Sequence, residues 1–184
     1  MDAFENIVAG LLEQEGYWVR TSFKVNLTKA EKRKIGRASS PRWELDIVAY
    51  KPKSNTILVV ECKSFLDSPG VRFAQLAGKE DGRPKRFKLF NETKLRNVVF
   101  KRLVLQLHEK GCCRGSAKVR LCLAAGKIAR PPDHAKLKAH FVKKGWLLFD
   151  REWIRKQFQA AAKAPYENNV AVVVAKLLLR DADT

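Results

Sequence analysis

The chain is short of acid: 19 Asp and Glu stand against 37 Lys and Arg, a formal charge of +18 over 184 residues. Self-repulsion on that scale destabilises a compact state unless an anion is near, and nucleic acid is the polyanion such a surface ordinarily meets. Cysteine is sparse and poorly placed for metal. Cys62, Cys112, Cys113 and Cys122 form no C-x-x-C pair, and none of the three histidines lies at ligand spacing from them, which excludes a zinc ribbon or finger. Cys62 and Cys122 fall in apolar runs and read as small buried residues of a reducing compartment. Long apolar runs are missing as well. The longest, Val170 to Leu179, contains Lys176 and is far too short to span a bilayer, so no membrane partner is expected. The opening Met1-Asp2-Ala3-Phe4-Glu5 is acidic where a secretory leader is basic, and a cytoplasmic location is the expectation. No repeat, low-complexity tract or linker divides the chain, and 46% hydrophobic with 30% charged residues describes one globular domain over 1–184.

What is present centres on residues 42–64. Trp43, Leu45, Ile47 and Ala49 alternate with Glu44, Asp46, Val48 and Tyr50, a period of two that predicts a strand. Thr56 to Val60 is continuously apolar, as a strand buried on both faces would be, and Pro52 to Asn55 supplies a turn between them. If Lys51 pairs with Thr56, stepping inward sets Asp46 opposite Glu61, with Lys63 further along the same face. Carboxylates facing each other across an antiparallel pair stand with Cβ atoms about 5 Å apart. In an apolar sheet they repel and lose hydration, a conflict that a cation between them removes.

Around this hairpin the chain alternates elements. Phe4, Ile7, Val8, Leu11 and Leu12 make a helical stripe that ends at Gly16, with Glu5 at its margin. Glu5 is open to two readings, a first-turn acid favoured by the helix dipole or a third carboxylate for the hairpin. Tyr17 to Leu27 alternates as a strand. Thr28 to Ser40 reads as a mobile basic loop whose Lys29, Lys32, Arg33, Lys34 and Arg37 would close on a phosphate backbone. Arg83, Lys85, Arg86 and Lys88 form a second basic segment, with Phe87 and Phe90 read equally as base-stacking rings or as core anchors. Asn91 is placed as the cap of a long helix ending at Gly111. A strand over Val119 to Ala125, a helix from Pro131 to Gly145, a short strand Trp146 to Phe149 and a helix capped by Asp150 follow. The last helix, about 167–180, is apolar nearly all round and must bury against the domain or a second copy. The order implies a mixed sheet with helices on both faces, an α/β fold.

An early glutamate on a first helix, then Leu45-Asp46, fourteen residues, and Glu61-Cys62-Lys63 across a hairpin resemble the PD-(D/E)XK nuclease superfamily. Within it, Phe4-Glu5 through Gly16-Tyr17-Trp18-Val19 is similar to Mrr-like and Holliday-junction-resolvase-like members. The likeness covers roughly residues 1 to 126, leaving 127–184 as a C-terminal α/β extension. Leu45 replaces the family's proline before the aspartate. The resemblance implies a restriction-endonuclease-like fold and hydrolysis of DNA phosphodiesters with Mg²⁺ or Mn²⁺. It also implies Asp46, Glu61 and the Cys62 main-chain carbonyl as metal ligands. Lys63 would orient or deprotonate water, or stabilise developing charge, and Glu5 would reach a second ion or an outer-shell water. Two other readings stand beside it: a non-catalytic DNA-binding protein on the same fold, and an RNA-processing nuclease. Partners other than DNA would be a second copy held through the 167–180 helix, or another protein.

Overall fold

A computed structural model of the chain describes residues 2–39, 42–78 and 86–179. The strands are β1 (Trp18–Val25), β2 (Trp43–Lys51), β3 (Thr56–Lys63), β4 (Lys118–Ala125) and β5 (Leu147–Phe149). The helices are α1 (Ala3–Gln14), α2 (Lys29–Lys34), α3 (Phe73–Leu76), α4 (Lys88–Asn91), α5 (Thr93–Glu109), α6 (Pro131–Lys144), α7 (Arg151–Lys163) and α8 (Val170–Leu179). One sheet runs β1-β2-β3-β4-β5, antiparallel from β1 to β3 and parallel from β3 to β5, so the fold is α/β with a mixed open sheet. The C-terminal segment contributes β5, which pairs with β4 and completes this sheet.

Two cores sandwich the sheet. On one face Val48, Tyr50, Ile57, Val59, Leu121 and Leu123 pack with the buried side chains of α4, α5 and α6. On the other, Ile47, Ala49, Leu58, Val60 and Cys122 meet Phe4, Val8 and Leu12 of α1. The α1 stripe read from the sequence is therefore the face that is buried, each such side chain contributing about 1.5–3 kcal/mol. Asp2 caps α1 by accepting from the Phe4 N–H, and its own N–H donates to Glu5 in a capping box.

Several local expectations are corrected. Thr28 to Ser40 is not a plain loop. Thr28 caps α2, accepting from the Glu31 N–H while Glu31 accepts from the Thr28 N–H, and Glu31 also holds Arg102 of α5. Asn91 does not cap α5. It ends α4 and donates to the Gln75 carbonyl, while Glu92 takes the cap position without a side-chain bond. Phe87 and Phe90 are core anchors, buried against one another and, for Phe90, against Phe141 and Trp146. Helix α8 buries only Ala171, Val172 and Ala175, chiefly against α7, and leaves Val170, Leu177 and Leu178 exposed.

The strict alternation read along β1 and β2 also fails at one point. Trp43 and Leu45 pack in the α5-side core, opposite to Ile47 and Ala49, and on β1 Phe23 and Val25 likewise part from Val19. The register explains why. Thr21 pairs with Ile47 and Phe23 with Leu45, which sets Ser22 across from Asp46, and Ser22 has φ +48°. A non-glycine residue in the left-handed region turns the strand over, and both strands exchange faces at this step.

Candidate functional site

The hairpin turn is as expected, with Lys51 paired to Thr56, and the β2–β3 ladder continues to Ile47–Val60 and stops there. The next pair would be Asp46 and Glu61. The strands part instead, and the Asp46 carboxylate enters the gap, accepting from the Cys62 N–H at 2.8 Å. A ladder donor that would otherwise be orphaned is thus satisfied by the side chain of a candidate site residue.

Lys63 closes the cluster. Its Nζ lies 2.7 Å from Glu61 Oε1, 2.9 Å from the Cys62 carbonyl oxygen and 3.7 Å from Asp46 Oδ2. The ammonium stands among the three oxygen donors implied for a metal. About a quarter or less of each of these side chains is exposed. Burial raises the Glu61 carboxyl above its ordinary range; Lys63 opposes this, and Asp46 and Glu5 add to the rise. Burial would lower Lys63, but the Glu61 carboxylate, with Asp46 behind it, more than offsets this and holds the ammonium above the usual lysine value. Lys63 therefore keeps its proton at neutral pH.

Glu5 lies at the first turn of α1, engaged with the Asp2 N–H. Burial raises its carboxyl, the Asp2 N–H lowers it, and the Asp46 charge raises it again. It senses Asp46 and Glu61 but joins no ligand group with them: among the described residues no three His, Cys, Asp or Glu side chains cluster to hold a metal ion. The side chains available as direct ligands are two carboxylates, with the Cys62 carbonyl as the third oxygen. All three are hard donors, the chemistry that suits Mg²⁺ or Mn²⁺.

Asp46 and Glu61 open into a cleft of about 400 Å³, which Trp43, Glu44, Arg86, Lys88 and Leu89 also line. Arg86 and Lys88 are exposed at this wall, because the buried Phe87 and Leu89 between and beside them fix the segment to the core. Arg83 and Lys85 lie outside the described residues. In the other basic segment, Arg37 is committed to Glu92 through two contacts of 2.9 Å and lies over the Trp43 ring, so it buttresses the cleft. Lys29, Arg33 and Lys34 are exposed and Lys32 is half-buried on α2, and none of the four lines the cleft.

Sequence reasoning missed the part Trp43 plays in the cleft wall and the coincidence of Ser22 with Asp46. The first was legible as an aromatic residue three positions before Asp46. The second had no sequence signal, since Ser22 sits in an unbroken period-two run. No family model, curated protein or solved structure matches the chain.

Proposed function

We propose that the chain is a metal-dependent endonuclease that hydrolyses DNA phosphodiester bonds, a PD-(D/E)XK enzyme of restriction-endonuclease-like fold. The observation that carries this reading is the convergence of Asp46, Glu61, the Cys62 carbonyl and Lys63 where β2 and β3 part, inside a cleft with Arg86 and Lys88. Asp46, Glu61 and the Cys62 carbonyl would hold Mg²⁺ or Mn²⁺. Such an ion supplies Lewis-acid neutralisation of the phosphate and acidifies water.

The remaining work falls to the chain's own residues. Arg86 and Lys88 offer cations to the phosphates beside the scissile bond, and Trp43 gives the cleft a rigid apolar side. Lys63 would present its amino group to the scissile phosphate, orienting or deprotonating water or stabilising the developing charge. Glu5, from the first turn of α1, adds its charge to the field at Glu61. A non-catalytic DNA-binding role has one observation in its favour: Lys63 pairs with Glu61 and lies 3.7 Å from Asp46, a cation standing where an ion would be held.

The deciding experiment incubates the protein with plasmid, labelled single strands and branched junctions, in Mn²⁺ or in EDTA, beside Asp46→Ala and Lys63→Ala. Cleavage is expected in Mn²⁺ only, reduced at least 10²-fold in either variant while binding survives, as for loss of a charge-stabilising group. Binding without cutting on every DNA would return the non-catalytic reading, and cutting confined to RNA the RNA-processing one.

A further inference from the structure

A second and larger cleft, about 980 Å³, lies on the other side of the end of β3. Leu66, Gly126, Lys127, Arg130, Arg151 and Arg155 are among its lining residues. It sits past the carboxyl ends of the parallel strands β4 and β5, the end of an α/β sheet where ligands bind. Its wall adjoins the candidate site through backbone: the Gly126 N–H donates to the Lys63 carbonyl at 3.0 Å, and a Cβ on Gly126 would stand 2.4 Å from the Ser64 carbonyl oxygen. Only glycine allows that approach. Immediately after Ser64, Phe65 adopts φ +46°, a conformation costly for an aromatic residue, and the chain turns there to leave Leu66 exposed at the rim.

The charges of this cleft divide into spent and unspent. Asp150 is met by His134 at 2.7 Å, by the Trp153 N–H and by Lys138, and Glu152 also is met by Lys138. Arg130 is paired with Asp133. Lys127, Arg151 and Arg155 are exposed and have no ion-pair partner among the described residues. Three unpartnered cations around one concavity, whose two lining acids, Asp150 and Glu152, are engaged by His134, Lys138 and the Trp153 N–H, form a site for a polyanion. Arg151 and Arg155 are one helical turn apart, so they present to the cleft together.

We infer that this cleft binds the sugar-phosphate backbone of the nucleic-acid substrate on the side of Lys63 away from Arg86 and Lys88, through Lys127, Arg151 and Arg155. The inference rests on the nuclease reading for the identity of the polyanion. It makes the C-terminal segment part of the substrate surface, so that a strand passing Lys63 is gripped on both sides.

The test measures binding of a short fluorescent DNA duplex and its single strand by anisotropy in EDTA, across a salt series. Arg151→Glu/Arg155→Glu is compared with Lys156→Glu/Lys163→Glu, which makes the same charge change on the same helix outside the cleft. Thermal unfolding confirms that both pairs fold. The cleft pair is expected to weaken binding 10- to 100-fold more than the control pair and to reduce the slope of log K against log salt by about 2. Equal weakening by the two pairs, or wild-type binding by the cleft pair, overturns the inference. If that occurs while Lys63-dependent cleavage persists, the nuclease reading stands alone. A wild type that neither binds nor cuts DNA removes both.

Discussion

Two acidic regions at the carboxyl ends of the strands are held in opposite ways. At the parting of β2 and β3, Glu61 and, on α1, Glu5 have carboxyls raised by burial, and the Asp46 charge raises both further. At the start of α7, burial would raise Asp150 too, but the Trp153 N–H, His134 and Lys138 outweigh it and hold the carboxyl low. Asp133 on α6 behaves likewise, through the Phe73 N–H and Arg130. The second arrangement satisfies its charges and ties helices to the sheet. The first keeps acids together that would be more stable apart, with one lysine among them. Local electrostatics of that kind is retained where a protein has a use for it beyond folding.

The two regions respond to pH with opposite sign. A depressed carboxyl contributes stability above its ordinary pKa, lost as pH falls through the folded value; Asp150 and Asp133 belong to this class. A raised carboxyl contributes stability below its ordinary pKa, lost as pH rises through the folded value; Glu61 and Glu5 belong to that one. The largest expected effect follows at Asp150. Asp150→Ala removes the α7 cap and the partner of His134, and should cost about 2 kcal/mol at neutral pH. That loss should shrink toward zero as pH falls below the carboxylate range, read from urea unfolding across a pH series. A cost that does not change with pH would mean that packing, not charge, holds this corner.

Glu61→Gln should do the reverse. The amide mimics the protonated acid and still accepts from Lys63, whose charge keeps Asp46 and the Cys62 carbonyl as partners. The variant is expected to be up to about 1 kcal/mol more stable than wild type at neutral pH, with the gain fading in acid, and to lack the metal-dependent cleavage proposed for the wild type. This is the exchange of stability for function that strained sites show. A destabilised Glu61→Gln would make the Glu61–Lys63 pair an ordinary structural ion pair and erase the contrast with Asp150.

How much of this was legible in the sequence also differs between the regions. Asp150 could be placed as a cap because an N-cap is a local device, and α1, the Pro52–Asn55 turn, β4 and α6 were legible for the same reason: periodicity and stop signals act over a few residues. Helix α2 was overlooked because it has no apolar stripe, although Thr28 and Glu31 form the capping-box pattern. Phe87 and Phe90 could not be assigned, since the same rings serve a core or a base stack until α6 is packed against them. At the candidate site the Lys51–Thr56 register was legible, but the expected Asp46–Glu61 pair does not form, and the contacts that replace it were not legible. The strand parting and the turn of Asp46 onto the Cys62 N–H lie beside the face exchange across from Ser22, a tertiary feature.

That juxtaposition gives the most diagnostic effect and, in Ser22→Gly, the smallest. Ser22 holds a positive φ that glycine adopts freely, so Ser22→Gly should be neutral or stabilising by about 0.5 kcal/mol and leave the site intact. Ser22→Val opposes the same conformation, because a β-branched residue at positive φ is strongly disfavoured, and should cost about 1–2 kcal/mol. The informative readout is amide exchange at Cys62. If the face exchange places Asp46, then Ser22→Val straightens both strands, withdraws the carboxylate and exposes the Cys62 N–H to exchange, whereas Ser22→Gly leaves it protected. Protection retained in Ser22→Val would show that the Asp46–Cys62 bond forms without the kink. The parting of β2 and β3 would then be the cause of the site's geometry, and the turn at Ser22 its consequence.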